Sequence, residues 1–416
     1  SLSLAPPTTH PQSSSKYRLF SADSSSHLAC STPTPSSRYA FAAASGPTVD
    51  WLTEKHNIPL EVDLDWGAKL GHSCSRIHAT PSKTGAELMS CLMNACDAAG
   101  VDLITDAHVV DVYADNDGTV RGVRFERPDG SEEEVGCGAL VLTTCGFGGN
   151  RDMIRKFIPD MGEALYHGHE GNEGEGIQWG IELGAATADM TAFQGLGALA
   201  EPSRVLIHYN AILNGGIVVN VKGERFTDET TDISGMGRKV TAQPEHYVWF
   251  IFDQKRQDFV LKYEEHKEAM EVGAVKKANT LEELAQITEV PTEALQRTLD
   301  GVSMMQNGNG EDPHGRDFVN EEPLEGPPWY VVKSVGALFH TQGGLVIDAN
   351  AQVQRENGSP LPNLFAAGGT ARSTSGPSDW GYIPAAGLFT ATTQGRLAGE
   401  TAARTATSTK QRAAAE

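Results

Sequence analysis

The sequence predicts an α/β protein in which a continuous middle section is inserted into a larger α/β domain. Three observations predict it. Between residues 84 and 144 a helical pattern is followed by β patterns, the last running into a glycine turn, Cys145-Gly146-Phe147-Gly148-Gly149. A second stretch, Leu361 to Gly369, also ends in paired glycines, far along the chain. The section between them carries helix starts but no repeated βα units.

Thr84 to Ala99 has apolar residues at helical spacing and stops at Gly100. Cys91 and Cys96 lie within it and are expected to pack rather than ligate. Val101 to Ile104 reads as a strand. So do His108 to Tyr113 and Val120 to Phe125, joined by the turn Asp115-Asn116-Asp117-Gly118. The turn Asp129-Gly130 leads to a buried strand over Ala139 to Thr144. Gly174-Glu175-Gly176 precedes an apolar helical stretch, Ile177 to Leu183. Glycines at a helix start leave backbone N–H groups for a phosphate or polar cofactor chain; a plain loop-to-helix junction has the same sequence. Thr280 with Glu283 forms a capping box, and Pro291-Thr292-Glu293 opens another helix.

The 416 residues hold 33 Lys+Arg against 54 Asp+Glu, a formal charge of −21. That charge argues against a phosphate-neutralising nucleic-acid binder and a polybasic membrane-surface protein. No apolar run reaches the ~18 residues of a membrane span. Six scattered cysteines without CxxC make neither a zinc site nor a disulfide framework, which points to a reducing, cytoplasmic compartment. Residues 1–45 contain 22 Ser, Thr and Pro and one acid, Asp23. This composition predicts a disordered segment, and a Ser-rich, acid-poor transit peptide has the same signature. A first residue of Ser1 fits a processed or incomplete product.

Gly195-Leu196-Gly197-Ala198-Leu199-Ala200 matches the dinucleotide pattern G-x-G-x-x-A. It lacks the required context, because Glu201-Pro202 follows where a long helix should open. No other run qualifies, so the usual phosphate loop is not found. His167 and His169 have no third metal ligand at a suitable spacing and are expected in a solvated loop. Arg396 is expected at the surface, and Ser378 and Asp379 have no histidine at triad spacing.

The pieces His78-Ala79-Thr80-Pro81, Val141 to Phe147, Gly174-Glu175-Gly176, Asn220 to Glu229 (NVKGERFTDE), His340-Thr341-Gln342-Gly343-Gly344, Ala366-Ala367-Gly368-Gly369 and Gly395-Arg396-Leu397-Ala398-Gly399 follow one another along the chain. In that order the chain resembles the FAD-dependent fumarate reductase/succinate dehydrogenase flavoprotein family, including its 3-ketosteroid dehydrogenase and tricarballylate dehydrogenase-like branch. The resemblance implies a partial, glutathione-reductase-like FAD/NAD(P)-binding domain with an inserted α+β capping domain. The FAD-binding parts would be 46–185 and 334–416 and the cap 186–333, with 1–45 non-homologous. FAD is the implied cofactor. Thr144, Cys145, Gly146, Gly174, Glu175, Gly176, Gly368, Gly369, Ala386, Gly387 and Leu388 are the implied cofactor-binding residues. The implied chemistry lies at a CH–CH bond next to the carbonyl or carboxylate of a small-molecule ketone or carboxylate substrate; the electron partner is not specified.

The sequence departs from the family where fumarate reduction needs it. The residue after Ala366-Ala367-Gly368 is Gly369 rather than Glu. Ile212 stands for the proton-donating Arg, Leu196 for a substrate His and Tyr382 for the carboxylate-binding Arg. His340 remains. Fumarate reduction is therefore not expected. Tyr382 instead resembles the ketosteroid-dehydrogenase pattern, where a Tyr polarises a ketone, so Tyr382 and His340 are the expected catalytic residues. Two classes stay open. One is an FAD-dependent oxidoreductase; the other is a flavin-free relative that binds a small molecule or transfers protons.

Overall fold

The structure is a computed structural model that describes residues 35–64 and 70–413. The chain forms two compact units. Of the described residues, one comprises those within 35–150, 171–192 and 341–413, the other Arg151–Glu170 and Phe193–His340.

In the first unit, helix α1 (Pro35–Asp50) buries Phe41 and Ala42 and continues into a π-helical turn, Trp51–Lys55. The expected disorder is thereby corrected for residues 35–45. Ser, Thr and Pro dominate the composition of the segment, yet the short stretch Ala40-Phe41-Ala42 supplies a buried face. Residues 1–34 lie outside the described residues. Strands β1 (Glu61–Val62) and β2 (His78–Ala79) pair antiparallel. Helix α2 (Gly85–Ala98) starts where expected: the Thr84 hydroxyl accepts from the Glu87 N–H at 3.3 Å, and the Glu87 carboxylate accepts from the Ser82 N–H at 2.8 Å.

Val101 to Ile104, expected as a strand, forms none. Val101, Leu103 and Ile104 are 56, 64 and 54% exposed. No residue of α2 is buried either, so the packing expected of Cys91 and Cys96 is not seen. Apolar content gives a segment the capacity to be a strand. It becomes one only beside a partner, and among the described residues none pairs with it. Strands β3 (His108–Ala114), β4 (Val120–Glu126) and β5 (Glu132–Gly136) form an antiparallel meander. The acidic β5 was not legible, because all five of its residues are exposed and leave no alternation.

The centre of this unit is a short parallel pairing. Strand β6 (Leu140–Leu142) lies beside β16 (Pro360–Ala366) in the register Leu140↔Leu364, Val141↔Phe365, Leu142↔Ala366. A third strand, β15 (Gln352–Gln354), pairs antiparallel on the other edge of β16. Helix α4 (Glu175–Glu182) precedes β8 (Thr187–Ala188), which pairs with β14 (Gly344–Leu345). The final helix, α11 (Ala386–Ala413), packs on β16 and on α1.

The second unit is built on a sheet. Strands β10 (Ile217–Val219), β11 (Tyr247–Asp253), β13 (Trp329–Thr341) and β12 (Lys276–Ala278) lie side by side, and β9 (Phe193–Ala200) and β7 (Leu165–Tyr166) also pair with β13. The run Tyr247-Val248-Trp249-Phe250-Ile251-Phe252 is apolar at every position because both faces are covered. Val248, Phe250 and Phe252 belong to one core, closed by α5 (Asn210–Leu213), α6 (Ile233–Thr241), α7 (Gln254–Val260) and α8 (Glu264–Glu271). Trp249 and Ile251 belong to the other, closed by α9 (Leu281–Thr288) and α10 (Thr292–Gln306). Helix α3 (Arg151–Phe157) contributes the buried Ile154. No helix among the described residues is long and apolar enough to cross a membrane.

The units part at 150/151, 170/171, 192/193 and 340/341, whereas the sequence placed boundaries at 185/186 and 333/334. The difference for 151–170 comes from β7, whose parallel pairing to Ala337 and Leu338 no local pattern reveals.

Glu229 is fully buried and holds the second unit's polar centre. Its carboxylate accepts from Arg225 at 2.8 Å and from Arg316 at 3.0 Å, and Arg225 also pairs with Asp312. Burial by itself would raise the Glu229 pKa. The Arg225 hydrogen bond and the charges of Arg316 and Arg225 outweigh it and hold the carboxyl below its usual range. Removing one member of such a buried set strands the others. Glu229→Gln should cost about 3–5 kcal/mol in chemical denaturation. The carboxyl is lowered in the folded state. Its contribution is therefore present above the ordinary Glu range and lost as pH falls through the lowered folded value.

Candidate functional site

The C-terminal ends of β6 and β16 launch the turns that the sequence singled out, and these turns meet in the first unit. Cys145 sits in the left-handed region (φ 62°) just past the end of β6. Thr370, just past the end of β16, donates its hydroxyl to the Cys145 carbonyl at 2.9 Å and lies 3.2 Å from the Thr144 hydroxyl. The Phe147 N–H donates to Thr341 Oγ1 at 3.1 Å, and the Gly368 N–H to Gln394 Oε1 at 3.1 Å. Gly369 is required by close approach: a Cβ there would lie 2.7 Å from the Gly146 nitrogen.

The third turn joins the same group. Gly174, in the left-handed region, is the N-cap of α4 and supplies no side-chain cap. Two residues on, a Cβ at Gly176 would overlap Thr144 Oγ1 and approach Thr370. Thr144, Cys145, Gly146, Gly176, Gly369 and Thr370 therefore form one packed cluster. The Glu175 carboxylate in the first turn of α4 bonds His108 Nε2 at 3.0 Å.

Ala386, Gly387 and Leu388 open α11, with Ala386 buried and Leu388 exposed. Tyr382 ends the short 3-10 turn Asp379–Gly381. The residue is half-buried but its hydroxyl lies deep. Burial pushes the hydroxyl pKa up to about 12, against an opposing pull from the Gly387 backbone hydrogen bond. The phenol is therefore a neutral O–H group through the physiological range, held at the start of α11. His72, missed in the sequence, bonds the Pro384 carbonyl through Nε2 at 3.0 Å. A carbonyl only accepts, so Nε2 carries the proton, and the buried Nδ1 is an acceptor without a partner among the described residues. Burial, its largest influence, lowers the His72 pKa and favours this neutral form.

His340 is a half-buried residue near the end of β13, in the second unit. Ile212 and Leu196, which the resemblance aligned with polar substrate contacts, are both buried in that unit's core. Gly195 to Ala200 lie inside strand β9, so this glycine pattern forms no phosphate turn. His167 and His169 are exposed, and no metal-competent cluster occurs among the described residues. Arg396, expected at the surface, is partly covered: it pairs with Glu400 at 2.9 Å and lies over the Trp51 ring. Ser378 donates to the buried Asp379 at 2.6 Å.

Two first-unit features suit a polar cofactor: the start of α4 has no side-chain cap, and His72 Nδ1 is a buried acceptor. Such a group needs backbone to come close on several sides and polar atoms without competing partners. The glycines of the cluster are taken up by one another and by Thr144, Thr341 and Thr370, and the open polar groups are those at the start of α4 and on His72. Thr341, Thr370 and Gln394 were not among the implied cofactor-binding residues, although each adjoins or faces a glycine pair that was singled out.

A family model described as FAD binding domain matches residues 7–381, and the chain belongs to that family. FAD is the cofactor this membership indicates. The match begins at residue 7, within the segment that composition set apart. A probable fumarate reductase of Shewanella frigidimarina (strain NCIMB 400) is 27% identical over 372 residues, covering 88% of this chain and 60% of its own length. The chain spans 35–62% of the length of the first curated relatives it matches. Among solved structures, the open conformation of a flavocytochrome c3 fumarate reductase has a TM-score of 0.76 at 24% identity, over 94% of this chain and 67% of that one. The 3-ketosteroid-Δ4-(5α)-dehydrogenase from Rhodococcus jostii RHA1, in complex with 4-androstene-3,17-dione, has a TM-score of 0.68 at 22% identity, over 93% and 83%. Likeness at these identities shows a shared fold.

The cluster yields a stability test. Gly369→Ala presses a methyl group on the backbone of Cys145 and Gly146, which cannot turn aside. It should lower stability by about 1–3 kcal/mol. Gly395→Ala, in α11 with nothing within 4 Å, should leave stability unchanged or raise it by up to about 1 kcal/mol. Thermal denaturation of the two variants side by side checks both.

Proposed function

We propose that this chain is part of an FAD-dependent oxidoreductase that forms or reduces a C=C bond beside a carbonyl. The observation that carries the proposal is the packed cluster of Thr144–Gly146, Gly176 and Gly369–Thr370, reached from three distant parts of the sequence. Family membership and the oxidoreductase names of the relatives support it. Bound FAD supplies the two-electron chemistry. Thr144–Gly146, Gly174–Gly176, Gly368, Gly369 and Ala386–Leu388 would hold it, largely through backbone N–H groups.

The chain's own residues bind, orient and stabilise charge. Tyr382 would donate its O–H to the substrate carbonyl oxygen, where enolate charge builds as the α proton is removed or as a hydride reaches the β carbon, and is lost as the hydride leaves or the α carbon regains its proton. A neutral phenol suits that task, since an ionised one would repel the charge. His340 is the second proposed substrate contact, on the family resemblance. Tyr382 in place of a carboxylate-binding Arg favours a ketone substrate over a dicarboxylate.

The purified protein should show a flavin absorption band, either as isolated or after FAD is added and the excess removed. A colourless protein in both states would support the flavin-free alternative, to which the unmatched phosphate loop points. With flavin bound, Tyr382→Phe should lower turnover of a cyclic enone or saturated ketone about 10²–10³-fold, the usual effect of losing one such donor. Flavin content should be unchanged. Turnover within about threefold of the parent, together with a lower Tm, would make Tyr382 a structural residue.

A further inference from the structure

We infer that His72 is a positioning residue that holds the Tyr382 phenol in place through the Pro384 carbonyl; its weight in catalysis rests on the role given to Tyr382 above. Ile383, Pro384, Ala385 and Ala386 form a β-turn that leads into α11, closed by the Ala386 N–H donating to the Ile383 carbonyl at 3.0 Å. Proline fixes a negative φ at the second position of this turn. Ala385, at the third, has φ 67°. Together these angles define a type II turn, whose third position favours glycine. Alanine favours the type I alternative, in which the Pro384–Ala385 peptide is turned over and its carbonyl points the other way.

His72 selects the arrangement that alanine disfavours. Its Nε2–H donates to the Pro384 carbonyl at 3.0 Å, from a residue only 8% exposed and 312 residues away along the chain. A flip of the peptide would carry that carbonyl off and leave a buried N–H without its acceptor, which is costly. Gly71 backs the same turn. It lies in the left-handed region (φ 88°), and a Cβ there would come 2.7 Å from Ile383 Cγ2. The pair Gly71-His72 therefore fits this turn in its type II form.

The phenol is tied to both ends of the turn. Tyr382 directly precedes it, and the Tyr382 N–H donates to the Asp379 carbonyl at 3.1 Å. The Tyr382 hydroxyl oxygen accepts from the Gly387 N–H, in the first turn of α11. The turn thus lies between the phenol and the helix start that holds its oxygen. Relaxation of Ala385 to negative φ would change the angle at which the chain enters α11 and draw the Gly387 N–H off the phenol. His72 acts through the peptide that prevents this.

The experiment uses the full chain and has two readouts. One is the fluorine NMR spectrum of protein labelled with 3-fluorotyrosine, in which the resonance missing from Tyr382→Phe belongs to Tyr382. The other is turnover of a cyclic enone or saturated ketone per bound flavin. His72→Leu fills the space without a donor. It should shift or split the Tyr382 resonance and lower kcat about tenfold or more, with KM within about threefold. His72→Gln puts an amide N–H near the Nε2 position and should restore the resonance and most of the turnover. Ala385→Gly on the His72→Leu background should do the same, because glycine takes a positive φ at no steric cost. In the Tyr382→Phe background His72→Leu should lower kcat less than about threefold. If His72→Leu fails to fold, His72→Asn replaces it, its amide stopping short of Pro384. An unmoved Tyr382 resonance in His72→Leu would overturn the inference, as would an equal loss in His72→Gln, or the same loss with and without the Tyr382 hydroxyl. Turnover left intact by Tyr382→Phe would instead sink the catalytic role of Tyr382, and the resonance alone would then decide whether His72 holds the phenol.

Discussion

The parallel pairing of Leu140, Val141 and Leu142 with Leu364, Phe365 and Ala366 joins strands from distant parts of the chain, and the candidate site depends on it. Parallel neighbours end on the same side, so the turn after each strand emerges beside the other. The Thr370–Cys145 and Thr370–Thr144 contacts follow from that alignment, and so does the need for glycine at 369. A slip by one residue would offset the turns by about 3.3 Å, more than these close contacts allow.

The two units solve burial differently. The first uses short strands and a long helix of small residues, which let backbone approach backbone. The second uses a sheet with both faces covered and a buried charge set centred on Glu229. That set explains the sequence NVKGERFTDE in structural terms. Arg225 and Glu229 sit four residues apart, and each meets a partner 87 residues further on, Asp312 and Arg316. Polar residues in a family motif need not touch a substrate; these satisfy one another inside a core.

Ile212 and Leu196 tell a related story. The resemblance aligned them with substrate contacts, and in the structure both are core residues, apolar side chains that gain by packing inward. Near the start of α11 in the first unit lie Tyr382, with its deep neutral hydroxyl, and the neutral His72 on the Pro384 carbonyl.

By itself the sequence determined the local events: the Thr84 cap, the meander turn at 115–118, and the glycine turns after Leu142 and Ala366. Each depends on residues within one turn or one strand. It also determined the family, because the ordered motifs are read within that reach. Only the tertiary structure decided which turns meet, that residues 151–170 belong with the second unit, and that Val101 to Ile104 form no strand. These depend on partners far along the chain. An amino-acid pattern states a residue's capacity to be buried or paired without naming what buries or pairs it.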